Sequence, residues 1–117
     1  MSDSPANLVL FLSGDLMFAS RVRGAADRAE LQFKFSGNLP AGELDSVAYV
    51  IIDLSTRSKL IPDVVDEVAA RCPQAKLIAY GPHVQVSQLK AAREAGVPTV
   101  MTRGQFDAAL ASLFTQR

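Results

Sequence analysis

The residues of this sequence that could carry chemistry stand directly after its apolar runs. Four runs end in short polar turns, which read Ser13-Gly14-Asp15, Asp53-Leu54-Ser55, Gly81-Pro82-His83 and Thr102-Arg103-Gly104. Asp53 offers an oxygen nucleophile, and Arg103 offers a fixed positive charge with bidentate geometry. These are the two residue types that phosphoryl transfer requires, because the protein must hold a nucleophile in line and neutralise charge on the transferred group.

Two further features near these turns are weaker signals. His83 stands alone in its loop, without a second histidine or an acidic cluster, so we interpret it as a solvated polar residue. A pH-sensitive contact or a phosphoryl carrier is the alternative for that side chain. Ser55, Thr56 and Ser58 form a hydroxyl-rich loop after Asp53, but this loop lacks the glycines of a phosphate cradle.

The elements that must position these turns follow an α/β pattern. Apolar runs at 8–12, 47–52, 76–80 and 97–101 alternate with segments of helical spacing, which predicts a parallel sheet with helices on both faces. A fifth run, 31–35, alternates apolar and polar residues and is expected at an edge of the sheet. Right-handed crossovers then favour a flavodoxin-like three-layer sandwich with strand order 2-1-3-4-5, which brings the four turns to one edge.

The helix predictions rest on apolar stripes and on terminal residues. Asp15 should cap the first helix. The segment at 37–46 contains Gly and Pro and should be a loop with at most a short helix. Five strands and about five helices should alternate strictly along the chain. The third helix should begin near Pro62 and end before Pro73, the fourth should run from 86 to 95 with Gly96 as a left-handed cap, and the fifth should begin near Gly104. The expected buried stripes are Phe18, Val22, Ala25 and Ala29; Ile61, Val65, Val68 and Cys72; and Phe106, Leu110 and Leu113.

Length and charge exclude several classes of protein. The chain has 117 residues, 12 basic and 12 acidic side chains and one cysteine, which fits a single domain over 1–117 with a flexible N-terminus at 1–6. Zero net charge gives no sign of a nucleic-acid or membrane partner. A lone cysteine and the lack of a long apolar run predict a soluble, cytoplasmic protein without disulfides, in which Cys72 is a core residue.

Three stretches of the sequence resemble the receiver domain of two-component response regulators, the CheY-like fold. They are "YVIIDLSTRS", "AKLIAYGPHVQVSQLKAAREAGV" and "VPTVMTRGQF", which resemble the third strand, the fourth strand and helix, and the fifth strand of a receiver. The resemblance implies an acidic pair after the first strand that binds Mg²⁺ and an aspartate after the third strand that accepts the phosphoryl group. It also implies a Ser or Thr after the fourth strand and a Lys before a proline after the fifth, both contacting that group.

This sequence departs from that pattern at most of the implied positions. Asp53 matches the phospho-acceptor, but the acidic pair falls on Ser13 and Gly14, the hydroxyl position falls on Gly81, and Arg103 replaces the lysine. Only Asp15 and Asp53 remain as weak candidate Mg²⁺ ligands. We therefore expect an atypical or pseudo-receiver with no resident metal or cofactor, in which Asp53 is paired directly with Arg103.

The leading hypothesis is a non-enzymatic, stand-alone bacterial signalling module that acts through protein contact. Its partner would be a histidine kinase or a second copy, bound through residues 86–116, a face whose charges are Lys90, Arg93, Glu94, Arg103 and Asp107. One alternative is a phosphorylated response regulator of a phosphorelay, with Asp53 as acceptor and Mg²⁺ as cofactor. Another is a small flavodoxin-like ligand-binding domain, although the turn in SGDLMF is too short and apolar for a flavin phosphate loop.

Overall fold

Five parallel strands form one sheet in the computed structural model, which describes residues 6–115. The strands are β1 (Leu8–Leu12), β2 (Gln32–Ser36), β3 (Val47–Asp53), β4 (Lys76–Gly81) and β5 (Thr99–Thr102). Their order is β2-β1-β3-β4-β5, which confirms the predicted order and the edge position of the alternating strand. The flexible N-terminus predicted for 1–6 lies, except for Ala6, outside the described residues.

The helices depart from strict alternation with the strands. They are α1 (Leu16–Arg28), α2 (Leu54–Arg57), α3 (Asp63–Arg71), α4 (Val86–Glu94) and α5 (Arg103–Ala109), with a 3₁₀ turn at Ser58–Leu60. Within the described residues no helix lies between β2 and β3, and both α2 and α3 follow β3. The prediction of strict alternation was therefore wrong, whereas the prediction of a loop at 37–46 is confirmed.

Side chains at the end of α3 and just after it stabilise the loop at 37–46, which contains no helix. Arg71 donates a hydrogen bond from Nη2 to the carbonyl of Gly42 at 2.9 Å. Gln74 donates from Nε2 to the carbonyls of Leu44 at 2.9 Å and Val47 at 3.0 Å. These donors satisfy backbone carbonyls that a helix would have paired internally. Gly42 has φ +92°, a conformation that favours glycine.

Helix α3 shows a shifted buried stripe. The buried positions are Val64, Val68 and Cys72, at steps of four, whereas Val65 and Ile61 are only half-buried. The predicted stripe was one residue off at its start because two adjacent valines satisfy helical spacing equally well, and only the packed sheet selects between them. Cys72 is a core residue as predicted, and burial raises the pKa of its thiol.

The other helix predictions are largely confirmed. Phe18, Val22 and Ala25 of α1 are buried, while Ala29 is half-buried just beyond the helix. Gly96 has φ +100° and follows α4 in the predicted left-handed conformation. Phe106 and Leu110 are buried, and Leu113 is half-buried in the turns after α5, which ends at Ala109.

An aromatic stack fills the core between the sheet and α1 and α5. The rings of Tyr80 and Phe106 are parallel within 3°, with centroids 4.4 Å apart, and the ring of Phe18 lies 6.0 Å from Phe106. The rings of Phe11 and Tyr80 are parallel within 9°, with centroids 6.2 Å apart. All four side chains are buried. Since aromatic side chains bury large areas and gain further from such pairing, this stack anchors both helices to the sheet.

Replacing Phe106 by alanine should therefore lower the free energy of unfolding by about 3 to 5 kcal/mol, because it opens a cavity beside the ring of Tyr80. Urea unfolding followed by circular dichroism measures this change. Met17→Ala is the control, because Met17 is 85% exposed and its truncation should change stability by less than about 0.5 kcal/mol. Equal effects of the two substitutions would contradict the role of the stack.

Candidate functional site

The sheet register brings the predicted turns to one edge. Leu12 pairs with Ile52, Asp53 with Tyr80, and Gly81 with Thr102. The residues that follow these pairs therefore leave the sheet at nearly the same level. This is the carboxyl edge at which open parallel sheets place their chemistry.

Asp53 is the centre of this edge and is completely buried. Its Oδ1 accepts hydrogen bonds from the backbone N–H of Ser55 at 3.0 Å and from the Ser55 hydroxyl at 2.7 Å. Its Oδ2 accepts from the hydroxyls of Ser13 at 2.7 Å and Thr56 at 2.9 Å. Four donors thus surround one carboxylate, which is the condition for burying an anion without a cation in contact.

The same hydroxyls join the turns after β1 and β3. Ser13 is buried, and its Oγ also accepts a hydrogen bond from the backbone N–H of Asp15 at 2.9 Å. Thr56 Oγ1 accepts from the backbone N–H of Gly14 at 2.9 Å. Each hydroxyl therefore donates to Asp53 and accepts from the first turn, so that the carboxylate fixes the position of both loops.

The predicted pair between Asp53 and Arg103 was wrong. Arg103 instead lies beside Asp15, with 3.5 Å between Nη1 and Oδ2, and its guanidinium carbon is 4.4 Å from the centroid of the Phe18 ring. The physical reason is that the oxygens of Asp53 are buried and already bonded, whereas the Arg103 side chain is 45% exposed. Exposed cations gain little from entering a buried site that offers them no free acceptor.

Asp15 has the capping role predicted for it. Its Oδ1 accepts a hydrogen bond from the backbone N–H of Phe18 at 3.0 Å, which satisfies one free donor at the start of α1. The same carboxylate is thus shared between the helix end and Arg103. Thr102 has an equivalent role in α5, where it forms a reciprocal capping box with Gln105.

Arg57 is a site residue that the sequence did not reveal. Its Nε donates to the carbonyl of Gly37 at 3.0 Å, and its Nη1 donates to the carbonyl of Thr56 at 2.9 Å. A Cβ atom added at Gly14 would lie 3.5 Å from both terminal nitrogens. A fixed positive charge therefore lies beside Gly14, where the resemblance implies an acidic residue. No local pattern signals this, because the loop after β2 positions the guanidinium.

The positions around Gly81 also differ from the implied pattern. A Cβ atom added at Gly81 would lie 3.2 Å from the Cβ of Leu54, a buried side chain. The place of the implied hydroxyl is therefore partly filled by a core residue. His83 lies exposed in the turn after β4 and is not part of the network around Asp53. Its interpretation as a solvated residue stays a prediction.

Tyr80 brings a buried phenol close to the same carboxylate. No hydrogen bond of good geometry within residues 6–115 reaches its hydroxyl, although the Ser13 side chain lies close enough to lower its pKa slightly. Burial raises the pKa of this hydroxyl well above its ordinary value, and the negative charge of Asp53 raises it further, against a smaller opposing effect of Arg103. Tyr80 is therefore a neutral phenol at any physiological pH.

The residues at this edge do not fit a Mg²⁺ site. Mg²⁺ requires oxygen ligands with free lone pairs in near-octahedral geometry. Asp53 already accepts four hydrogen bonds, and Asp15 caps α1 and contacts Arg103. Across residues 6–115 no group of three or more His, Cys, Asp or Glu side chains is placed to hold a metal ion.

Comparisons with known proteins identify the fold. No family model matches the chain, and no curated protein matches its sequence. A response regulator from Thermotoga maritima has a similar structure, with a TM-score of 0.70 and 11% identity, over 95% of this chain and 96% of that one. The chain has the receiver fold. The predicted resemblance is thus confirmed for the architecture, and at such low identity the likeness concerns the fold alone.

Two further solved structures show the range of proteins with this receiver fold. A response regulator from Burkholderia pseudomallei, solved with a phosphorylated aspartic acid, a calcium ion and citrate, has a TM-score of 0.64 and 12% identity over 94% of this chain and 69% of that one. The pilus assembly protein CpaE from Caulobacter crescentus has a TM-score of 0.57 and 15% identity over 93% and 94%. Among residues 6–115, no helix has the length and apolar character needed to cross a membrane.

Replacing Asp53 by asparagine should destabilise the protein by about 2 to 4 kcal/mol, because an amide group would replace one carboxylate oxygen and present hydrogens to hydroxyls that now donate. Ser13→Ala removes one of the four donors and should cost about 1 to 2 kcal/mol. Urea unfolding of both variants measures these changes.

The control is Asp45→Asn, an exposed position at which the same change should be nearly neutral. An Asp53→Asn variant at least as stable as the wild type would show that the hydrogen-bond network contributes nothing to stability.

Proposed function

We propose that this chain is a receiver-fold signalling module that acts through protein contacts and is not switched by Mg²⁺-dependent phosphorylation of Asp53. The observation that carries the proposal is the buried carboxylate with four hydrogen bonds from Ser13, Ser55 and Thr56. The module has no enzymatic activity and no resident cofactor in this proposal.

The chemistry of phosphoryl transfer supports this proposal. An acyl phosphate forms when a carboxylate oxygen attacks phosphorus in line and positive charge neutralises the equatorial oxygens. Both oxygens of Asp53 are committed to donors, and the side chain is fully buried. Arg57 and Arg103 supply positive charge at the edge, but Arg57 binds backbone carbonyls and Arg103 lies beside Asp15.

Phosphorylation of Asp53 is the alternative, and its position at the end of β3 in a receiver fold favours it. The similar Burkholderia structure contains a phosphorylated aspartic acid. For this chain, the reaction would first have to free an oxygen from Ser13 and Thr56 or from Ser55. Hydrogen bonds to a charged group contribute about 1.5 to 3 kcal/mol each, so this opening adds directly to the barrier.

Incubation with acetyl phosphate and Mg²⁺ should therefore leave the intact mass of the protein unchanged. A response regulator that accepts phosphate from acetyl phosphate serves as the positive control in the same reaction. Mass spectrometry that finds one added phosphoryl group on the wild type, but none on Asp53→Asn, would establish the alternative. A gain present in both proteins would place the modification at another residue and leave Asp53 unmodified.

The partner in this proposal is a second copy of the chain or a histidine kinase, bound through the face built from α4, β5 and α5. Most charges predicted there are already paired within the chain. Lys90 pairs with Glu94 at 3.9 Å, and Asp107 lies in contact with Arg21. Among the described residues Arg93 has no ion pair, and exposed Val86 stands seven positions earlier on the same side of α4.

Sedimentation velocity across a dilution series should detect a dimer that Val86→Asp and Arg93→Glu each weaken. Both substitutions place a negative charge on the exposed side of α4 and should leave the fold intact. Lys34→Glu makes a similar charge change on β2, at the opposite edge of the sheet, and should not affect association. A wild-type protein that stays monomeric at every concentration would exclude the second copy as the partner and leave the kinase.

A further inference from the structure

An apolar groove lies at the amino edge of the sheet, opposite the edge that contains Asp53. Its volume is about 680 Å³, and it runs between α3 and the turns after α5, across the start of β4. This volume lies within the range of clefts that hold small molecules, and the groove is partly open to solvent. The side chains that define it are Tyr49, Val65, Val68, Lys76, Leu77 and Leu113.

The local fold keeps this groove open. Helix α5 ends at Ala109, so its remaining turns reach the groove only through half-buried Leu113. The rim residues Gly96 and Pro98, before β5, have no long side chain that could fill the space. Val65, the residue that departs from the predicted stripe of α3, lies along the groove and is therefore only half-buried.

One charge stands in this apolar surface. Lys76 is the only ionisable side chain of the lining besides the phenol of Tyr49, and no ion pair within residues 6–115 involves it. Its Nζ lies 5.9 Å from the centroid of the Tyr49 ring, and both side chains line this groove and a smaller one beside it. The groove therefore combines an apolar body with one cationic end.

We propose that this groove binds a small amphipathic carboxylate, with its hydrocarbon part between the half-buried side chains Val65 and Leu113 and its carboxylate at Lys76. Burial of the hydrocarbon part supplies most of the affinity, at about 25 cal/mol per Å² of apolar surface removed from water. The carboxylate selects the orientation, because its partner stands at one end only. The two sites lie at opposite ends of β3, so that binding here is independent of the state of Asp53.

Decanoate, below its micellar concentration, is the probe for this site. Titration of the isotope-labelled protein should shift the methyl resonances of Val65, Val68, Leu77 and Leu113 in a saturable manner. Decanol should bind more weakly, because it has the same chain without the charge. Lys76→Gln should weaken the binding of decanoate about twofold to fivefold, whereas Lys34→Gln, on the distant strand β2, should not.

A pair of adjacent residues in α3 gives a matched steric control. Ala69 lines the groove and Ala70 does not, although both are exposed, so Ala69→Phe should abolish binding and Ala70→Phe should preserve it. If decanol and decanoate bind with equal affinity, and Lys76→Gln changes neither affinity, the proposed pairing of a carboxylate with Lys76 is wrong. The proposed ligand site is wrong if the shifts centre instead on exposed apolar residues elsewhere, namely Leu16, Met17, Val84 and Val86. It is also wrong if a change in protein concentration alone produces the same shifts.

Discussion

The carboxyl edge of this protein depends on one buried anion, Asp53. A fully buried carboxylate loses the free energy of its hydration, and hydrogen bonds within the protein have to compensate for that loss. Here hydroxyl groups and a backbone N–H donate those hydrogen bonds. Because two of those hydroxyls also accept bonds from the turn after β1, the same charge orders both loops. A residue type associated with reactivity thereby acts as a structural centre.

The other charges of this edge, Asp15, Arg57 and Arg103, are half-buried or exposed and lie around this centre. One oxygen of Asp15 accepts a hydrogen bond at the start of α1 and the other contacts Arg103, whose guanidinium also lies over the Phe18 ring. Arg57 joins the loop after β2 to the end of α2 through backbone carbonyls. Since neither arginine contacts Asp53 in an ion pair, the positive charge at the edge remains separate from the buried negative charge.

Secondary structure was largely predictable because its signals are local. The buried strands carry continuous apolar runs, Gly96 marks the end of α4, and Asp15 marks the start of α1. The helix order after β3 was not predictable, because the loop at 37–46 is stabilised by Arg71 and Gln74 from a later part of the chain. The stripe of α3 was ambiguous for a similar reason, since the sheet selects Val64 over Val65.

The sequence by itself determined which residue types stand at the carboxyl edge, because the alternation of elements places the strand ends together. It identified Asp53 as the candidate site and Ser13, Gly14 and Gly81 as its departures from the receiver pattern. Only the tertiary structure decided the partners of each charge. Ser13 reaches Asp53 from the end of β1, and Thr56, which binds Asp53 locally, also accepts a hydrogen bond from Gly14. Arg103 pairs with Asp15 because that carboxylate is partly exposed, whereas Asp53 is buried. Contacts between residues about forty or more positions apart depend on the packing of the whole sheet, which local spacing does not encode.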